Sequence, residues 1–107
     1  MYKENILSEK SLDFAARTVK FCIYVNKKTK ENIITKQLIR SSTSVGANIC
    51  EANYGISRAD FISKMQIAMK EASESEYWLK LLYKADYVNE EEVTDLIDDC
   101  KEIERIL

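Results

Sequence analysis

No proline interrupts this chain of 107 residues, and it has only two glycines, Gly46 and Gly55. A chain so poor in turn formers cannot reverse direction often, which argues against tight-turned β architectures. It predicts a few long helices instead. The length suits one domain, 1–107, with a single core.

Apolar periodicity divides the chain into four amphipathic segments. The first spans about 8–26, with Ser8 as N-cap and a stripe of Leu12, Ala15, Ala16, Val19, Cys22 and Ile23. Phe14 and Phe21 widen it. The polar run Lys27 to Asn32 forms a short connection in which Thr29 or Asn32 can cap the next helix. That helix covers about 30–54 with a stripe of Leu38, Ser42, Val45, Ile49 and Ala52, the 4-3 spacing of a packed seam. Small residues around Gly46 would let a neighbouring helix approach closely, offsetting the ~1 kcal/mol that glycine costs in a helix. The same segment lacks the pattern of a phosphate-binding loop.

Gly55 is expected to stop the second helix as a left-handed C′ residue, and Ser57 to cap a third at about 58–85. Its seam is Phe61, Met65, Ala68, Ala72, Ser75, Leu79 and Leu82. Ile62, Ile67, Met69, Trp78 and Tyr83 lie off that line, so this helix is either central or covered by another subunit. Asn89 and Glu92 form a capping box for a fourth helix at about 90–106, with a stripe of Val93, Leu96, Ile97, Cys100, Ile103 and Leu107. Four such helices with short connections predict an all-α, antiparallel up-down-up-down four-helix bundle.

Chemistry-bearing residues are few. The chain has no histidine, which removes the commonest general base and transition-metal ligand. Three scattered cysteines, Cys22, Cys50 and Cys100, read as reduced, buried thiols of a cytoplasmic protein. No apolar run is long enough to span a membrane, and the N-terminus does not read as a signal peptide. Catalytic residues, a metal, a cofactor and a small-molecule substrate are all unexpected.

Net charge is −2, but it is graded. Residues 1–40 carry nine Lys/Arg against four Asp/Glu, and residues 87–107 carry two against eight. Lys10, Arg17, Lys20, Lys27, Lys28, Lys30, Lys36 and Arg40 could share a face that neutralises phosphates. They could equally be a solvated face that meets the acidic fourth helix. Glu51, Glu71 and Glu74 could gather carboxylates between helices two and three, which without histidine would suit a hard cation. The structural alternative pairs them with Arg40, Lys64 or Lys70, or with Asn48 and backbone at an interface. Tyr54, Tyr77, Trp78 and Tyr83 could stack bases or form core and subunit contacts.

The stretch QLIRSSTSVGANICEA, followed by SRADFISKMQIAMKEASESEYWLKLL, resembles the four helix bundle protein family. That family is also known as the 23S ribosomal RNA intervening-sequence protein family. Arg40, Ser44, Gly46, Ala47, Asn48, Glu51 and Ala52 carry the likeness on helix two. Ser57, Asp60, Phe61, Lys64, Ala68, Lys70, Glu71, Ala72, Tyr77, Trp78 and Leu79 carry it on helix three. Cys50 departs from an expected small apolar residue. The family is in turn similar to the accessory variability protein of diversity-generating retroelements. The resemblance implies a four-helix bundle that assembles into a homopentamer and carries no catalytic site, and the similar accessory protein is a basic pentamer that binds nucleic acid. With the charge gradient, that gives an RNA- or DNA-binding module as one expectation, and Asn48, Glu51, Glu71, Tyr77 and Trp78 read as buried polar or interface residues. The alternative is a protein-interaction scaffold without a nucleic-acid role.

Overall fold

The computed structural model describes residues 2–107. Four helices follow in order: α1 (Tyr2–Thr29), α2 (Ile34–Asn53), α3 (Arg58–Lys84) and α4 (Glu90–Ile106). Spatial neighbours follow chain order: α1 packs on α2, α2 on α3 and α3 on α4, and α4 closes the square against α1. The result is a rod of 44 × 21 × 18 Å, as long as its longest helices.

The seams of α2, α3 and α4 lie where the periodicity puts them. Leu38, Ser42, Val45, Ile49 and Ala52 are buried, as are Ala68, Ala72, Ser75, Leu79, Leu82, Val93, Leu96, Cys100 and Ile103. Phe61, Met65, Ile97 and Leu107 are half-buried. The expectation for α1 fails. Its buried seam is Leu7, Ser11, Phe14, Thr18, Cys22 and Val25, while Leu12 and Ile23 remain 71% and 51% exposed. Two hydroxyl residues occupy the inward line and a run of apolar residues faces out, so apolarity alone selects the wrong stripe.

The helix ends differ from expectation in three places. α1 runs through Ser8, whose side chain accepts a bond from Asn53 Nδ2 at 3.2 Å rather than capping a helix. Neither Thr29 nor Asn32 caps α2. The Glu31 carboxylate does so from outside, accepting from the backbone N–H of Ile33, Ile34 and Thr35 at 2.8–2.9 Å. Burial opposes its ionisation, but those three donors hold its pKa below the usual carboxylate value. The left-handed residues are Lys30 (φ 66°) and Asp86 (φ 67°), just beyond α1 and α3; Gly55 is not left-handed. Gly55 is required for space instead, since a Cβ there would stand 3.0 Å from the Ala52 carbonyl and from an Asp60 carboxylate oxygen. Gly46 lets α1 approach, its missing Cβ lying 3.3 Å from Ser11 Oγ.

Two helix starts form as the sequence predicts. Ser57 Oγ accepts from Asp60 N at 3.0 Å. Asn89 and Glu92 make a complete capping box, both bonds at 2.9 Å.

Candidate functional site: a bundle with an uncovered apolar flank

The α2–α3 seam carries the densest polar network. Arg40 reaches from α2 and donates to both oxygens of Glu71, at 2.8 and 3.3 Å, and to Glu74. Glu74 also accepts from Trp78 Nε1 at 3.0 Å. Next to Arg40 and Glu74 in sequence, the buried Ser41 and Ser75 hydroxyls meet at 2.8 Å. The guanidinium holds the Glu71 pKa below its ordinary value, against the opposing effect of burial. Glu51 pairs with Lys64 at 3.2 Å, and Asn48 bonds back to the Ser44 carbonyl at 2.8 Å. Glu71 and Glu74 are therefore occupied by a cation from the chain itself, and Glu51 takes a different partner. Among the described residues, no three His, Cys, Asp or Glu side chains are arranged to hold a metal ion. Trp78 is half-buried against the core, and Tyr77 meets its ring edge-on at 5.1 Å while staying 59% exposed.

The eight basic residues do not form one face. Lys10 pairs with Glu102 and Arg17 with Asp99, both across the α1–α4 seam, and Arg40 is committed to α3. Lys28 Nζ donates to the Tyr24 hydroxyl at 3.2 Å and lies 5.5 Å from its ring centre. Lys20, Lys27, Lys30 and Lys36 are exposed, with no ion pair among the described residues. With Lys28, they are spread over the second half of α1, the connection and the first turn of α2. The acidic first turn of α4 lies at that same end of the bundle.

A concavity lies elsewhere, between α1 and α2. It has a volume of about 870 Å³ and is lined by Leu12, Ala15, Thr43, Ala47, Cys50 and Tyr54, among others. Cys50 is exposed here, contrary to expectation, whereas Cys22 and Cys100 are buried. Burial pushes the Cys22 thiol up to about 12. Leu12, from the outward apolar run of α1, forms part of the concavity's wall. α3 is not central: it packs only on α2 and α4, and Ile62, Ile67, Met69 and Tyr77 remain exposed.

These features define an antiparallel four-helix bundle whose seams are closed by side-chain pairs and whose flanks remain partly apolar. A family model of the 23S rRNA-intervening sequence protein matches residues 3–107, and the chain belongs to that family. A solved structure from Bacteroides thetaiotaomicron, described as a protein of unknown function from the S23 ribosomal protein family, is 45% identical. The match covers 97% of this chain and 93% of that one, with a TM-score of 0.95. No curated protein matches the chain. Among the described residues, no helix is long and apolar enough to cross a membrane.

Proposed function

We propose that this protein is a non-enzymatic module that assembles with copies of itself. One observation carries the reading: Leu12 and Ile23 of α1 stay largely exposed, and Leu12, with Ala15, lines an open concavity beside Ala47 and Cys50 of α2 and Tyr54 at the α2–α3 corner. Contiguous exposed apolar surface of this kind marks interaction sites. The exposed side of α3, with Ile62, Ile67 and Met69, is a different surface. Two unlike surfaces on one chain favour head-to-tail contacts, which close into rings when the rotation permits. The family resemblance supports five chains in that ring. Light scattering on the purified protein tests this reading. A mass of several chains, reduced to one chain by Leu12→Glu with Ile23→Glu in a still-helical protein, is the expected result. A single-chain mass for the unsubstituted protein would overturn it.

A second reading is favoured by the lysine patch. Lys20, Lys27, Lys28, Lys30 and Lys36 would be repeated around a ring and would contact RNA or DNA phosphates. Each phosphate contact adds steepness to the fall of affinity with salt. Filter binding with RNA and DNA oligonucleotides should show that fall, and Lys27→Glu, Lys28→Glu and Lys30→Glu together should abolish retention. Binding unchanged in the triple variant would leave assembly alone as the function, as a protein-interaction scaffold.

A further inference from the structure

We infer that copies of this chain meet the same way up, the basic stretch of α1 on one copy lying against the acidic stretch of α4 on the next. The inference rests on the self-assembly proposed above and names the surfaces that make the contact. From Phe14 to Thr29, α1 carries Arg17, Lys20, Lys27 and Lys28 and no acid. From Glu90 to Asp99, α4 carries six acids and no base. The two helices are neighbours within one chain, yet their seam pairs only Arg17 with Asp99 from these stretches; the other pair, Lys10 with Glu102, lies further down. Lys20 and Lys27 stay exposed, as do Glu90, Glu91, Asp95 and Asp98, with no ion pair among the described residues.

Helical spacing explains why this charge is left over. Lys10 and Arg17, seven residues apart, take the side of α1 that faces α4. Lys20 and Lys27, also seven apart, share a different side of the same helix. On α4, Glu91, Asp95 and Asp98 follow 4-3 spacing on a side other than that of Asp99 and Glu102. Each chain therefore carries a basic strip and an acidic strip that its own seam does not use. The strips lie at one height on the rod. Ten residues up α1 from Arg17 stands Lys27, and ten back along α4 from Asp99 stands Asn89, the cap of that antiparallel helix.

A ring whose axis runs along the rod keeps every residue at its own height from copy to copy, so the basic strip of one chain comes level with the acidic strip of the next. Attraction between unlike strips steers the encounter, and repulsion between like strips rejects the wrong pairing of sides. The apolar surfaces obey the same order. The concavity holds Leu12, Ala47 and Cys50, and a second groove of about 340 Å³ between α3 and α4 holds Ile62, Met69 and Ile106. Gly46 stands beside Ser11 and Glu51 pairs with Lys64, so both lie in the half of the rod near the α2–α3 corner. Copies the same way up set apolar surface against apolar surface in that half and base against acid in the other.

The test is light scattering on full-length, nuclease-treated protein at about 50 mM salt, where exposed charges are least screened. One variant carries Lys20→Glu with Lys27→Glu, the other Glu91→Lys with Asp95→Lys, and circular dichroism checks that each stays helical. Each alone should raise the dissociation constant of the assembly at least about tenfold, since like strips now oppose. Mixed together, the two variants should associate again, because the acidic α1 of one fits the basic α4 of the other. Rescue by mixing is a readout that charge repulsion inside a single chain would not give. An assembly indifferent to both reversals, or no rescue on mixing, would overturn the inference while self-assembly stands. Lysine reversal that abolishes oligonucleotide retention but leaves the mass unchanged would likewise overturn it and give that strip to nucleic acid. A single-chain mass for the unsubstituted protein would remove the self-assembly reading, and this contact with it.

Discussion

Thr18 offers the sharpest test of how this core is held together. Its side chain is fully buried in α1, and its hydroxyl has no hydrogen-bond partner among the described residues. Phe14 and Cys22, one turn to either side, are buried too. A hydroxyl in that position has left water without replacing the bonds it lost, at a cost of about 1–3 kcal/mol. Thr18→Val removes the hydroxyl, keeps the branched shape, and leaves helix propensity nearly unchanged. The expected gain is about 1–2 kcal/mol. For a domain of this size that raises the melting temperature by about 4–8 °C per kcal/mol. Thr18→Ser is the control: it keeps the unbonded hydroxyl and deletes the methyl, and should lose about 1 kcal/mol. Thermal and urea unfolding at one fixed protein concentration measure both, since assembly makes stability depend on concentration. A valine variant no more stable than the parent would refute the assignment of Thr18 as an unsatisfied core hydroxyl.

Arg40→Met should destabilise by about 1–3 kcal/mol, because it leaves the Glu71 carboxylate with little compensation; half of the Arg40 side chain is exposed, which keeps the loss below that of a fully buried pair. Glu71 is held below its ordinary pKa, so its contribution is present above the unfolded value and lost on acidification; the parent and Arg40→Met should converge as pH falls. Gly55→Ala places a methyl 3.0 Å from the Ala52 carbonyl and from Asp60, and should cost about 1–2 kcal/mol by urea unfolding. Of the three thiols, Cys50 alone should react with a soluble thiol reagent in the native protein, and more slowly at concentrations where copies associate.

Three of the four helices could be read from the chain because their inward positions are also their apolar positions. Leu38, Val45 and Ile49, or Val93, Leu96 and Ile103, allow one phase only. α1 could not be read in that way. Ser11 and Thr18 face the core and Leu12 and Ile23 face outward, so the correct phase is the less apolar one. The pairing of Lys10 and Arg17 with Glu102 and Asp99 is the alternative in which basic residues meet the acidic fourth helix, though the apolar phase of α1 did not point to it. The Arg40–Glu71 contact was one of several pairings open to those residues, because distance in space between two helices is not written in spacing along either. The cap on α2 escaped for another reason. Glu31 lies two residues before the N-cap position, Ile33, and caps through a longer side chain than the usual Ser, Thr, Asp or Asn.

The square order of the helices also sets how the chain finds its structure. Each helix packs on the one before it, so most contacts join segments close in sequence and little loop entropy opposes them. Only the α1–α4 seam joins distant stretches, with Arg17 and Asp99 separated by 82 residues. Domains rich in local contacts fold within microseconds to milliseconds. Here the hairpins can form before the square shuts, which leaves the long-range seam to close last. The ion pairs across that seam therefore act mainly as a brake on opening, and removing them should speed unfolding while leaving the folding rate nearly untouched.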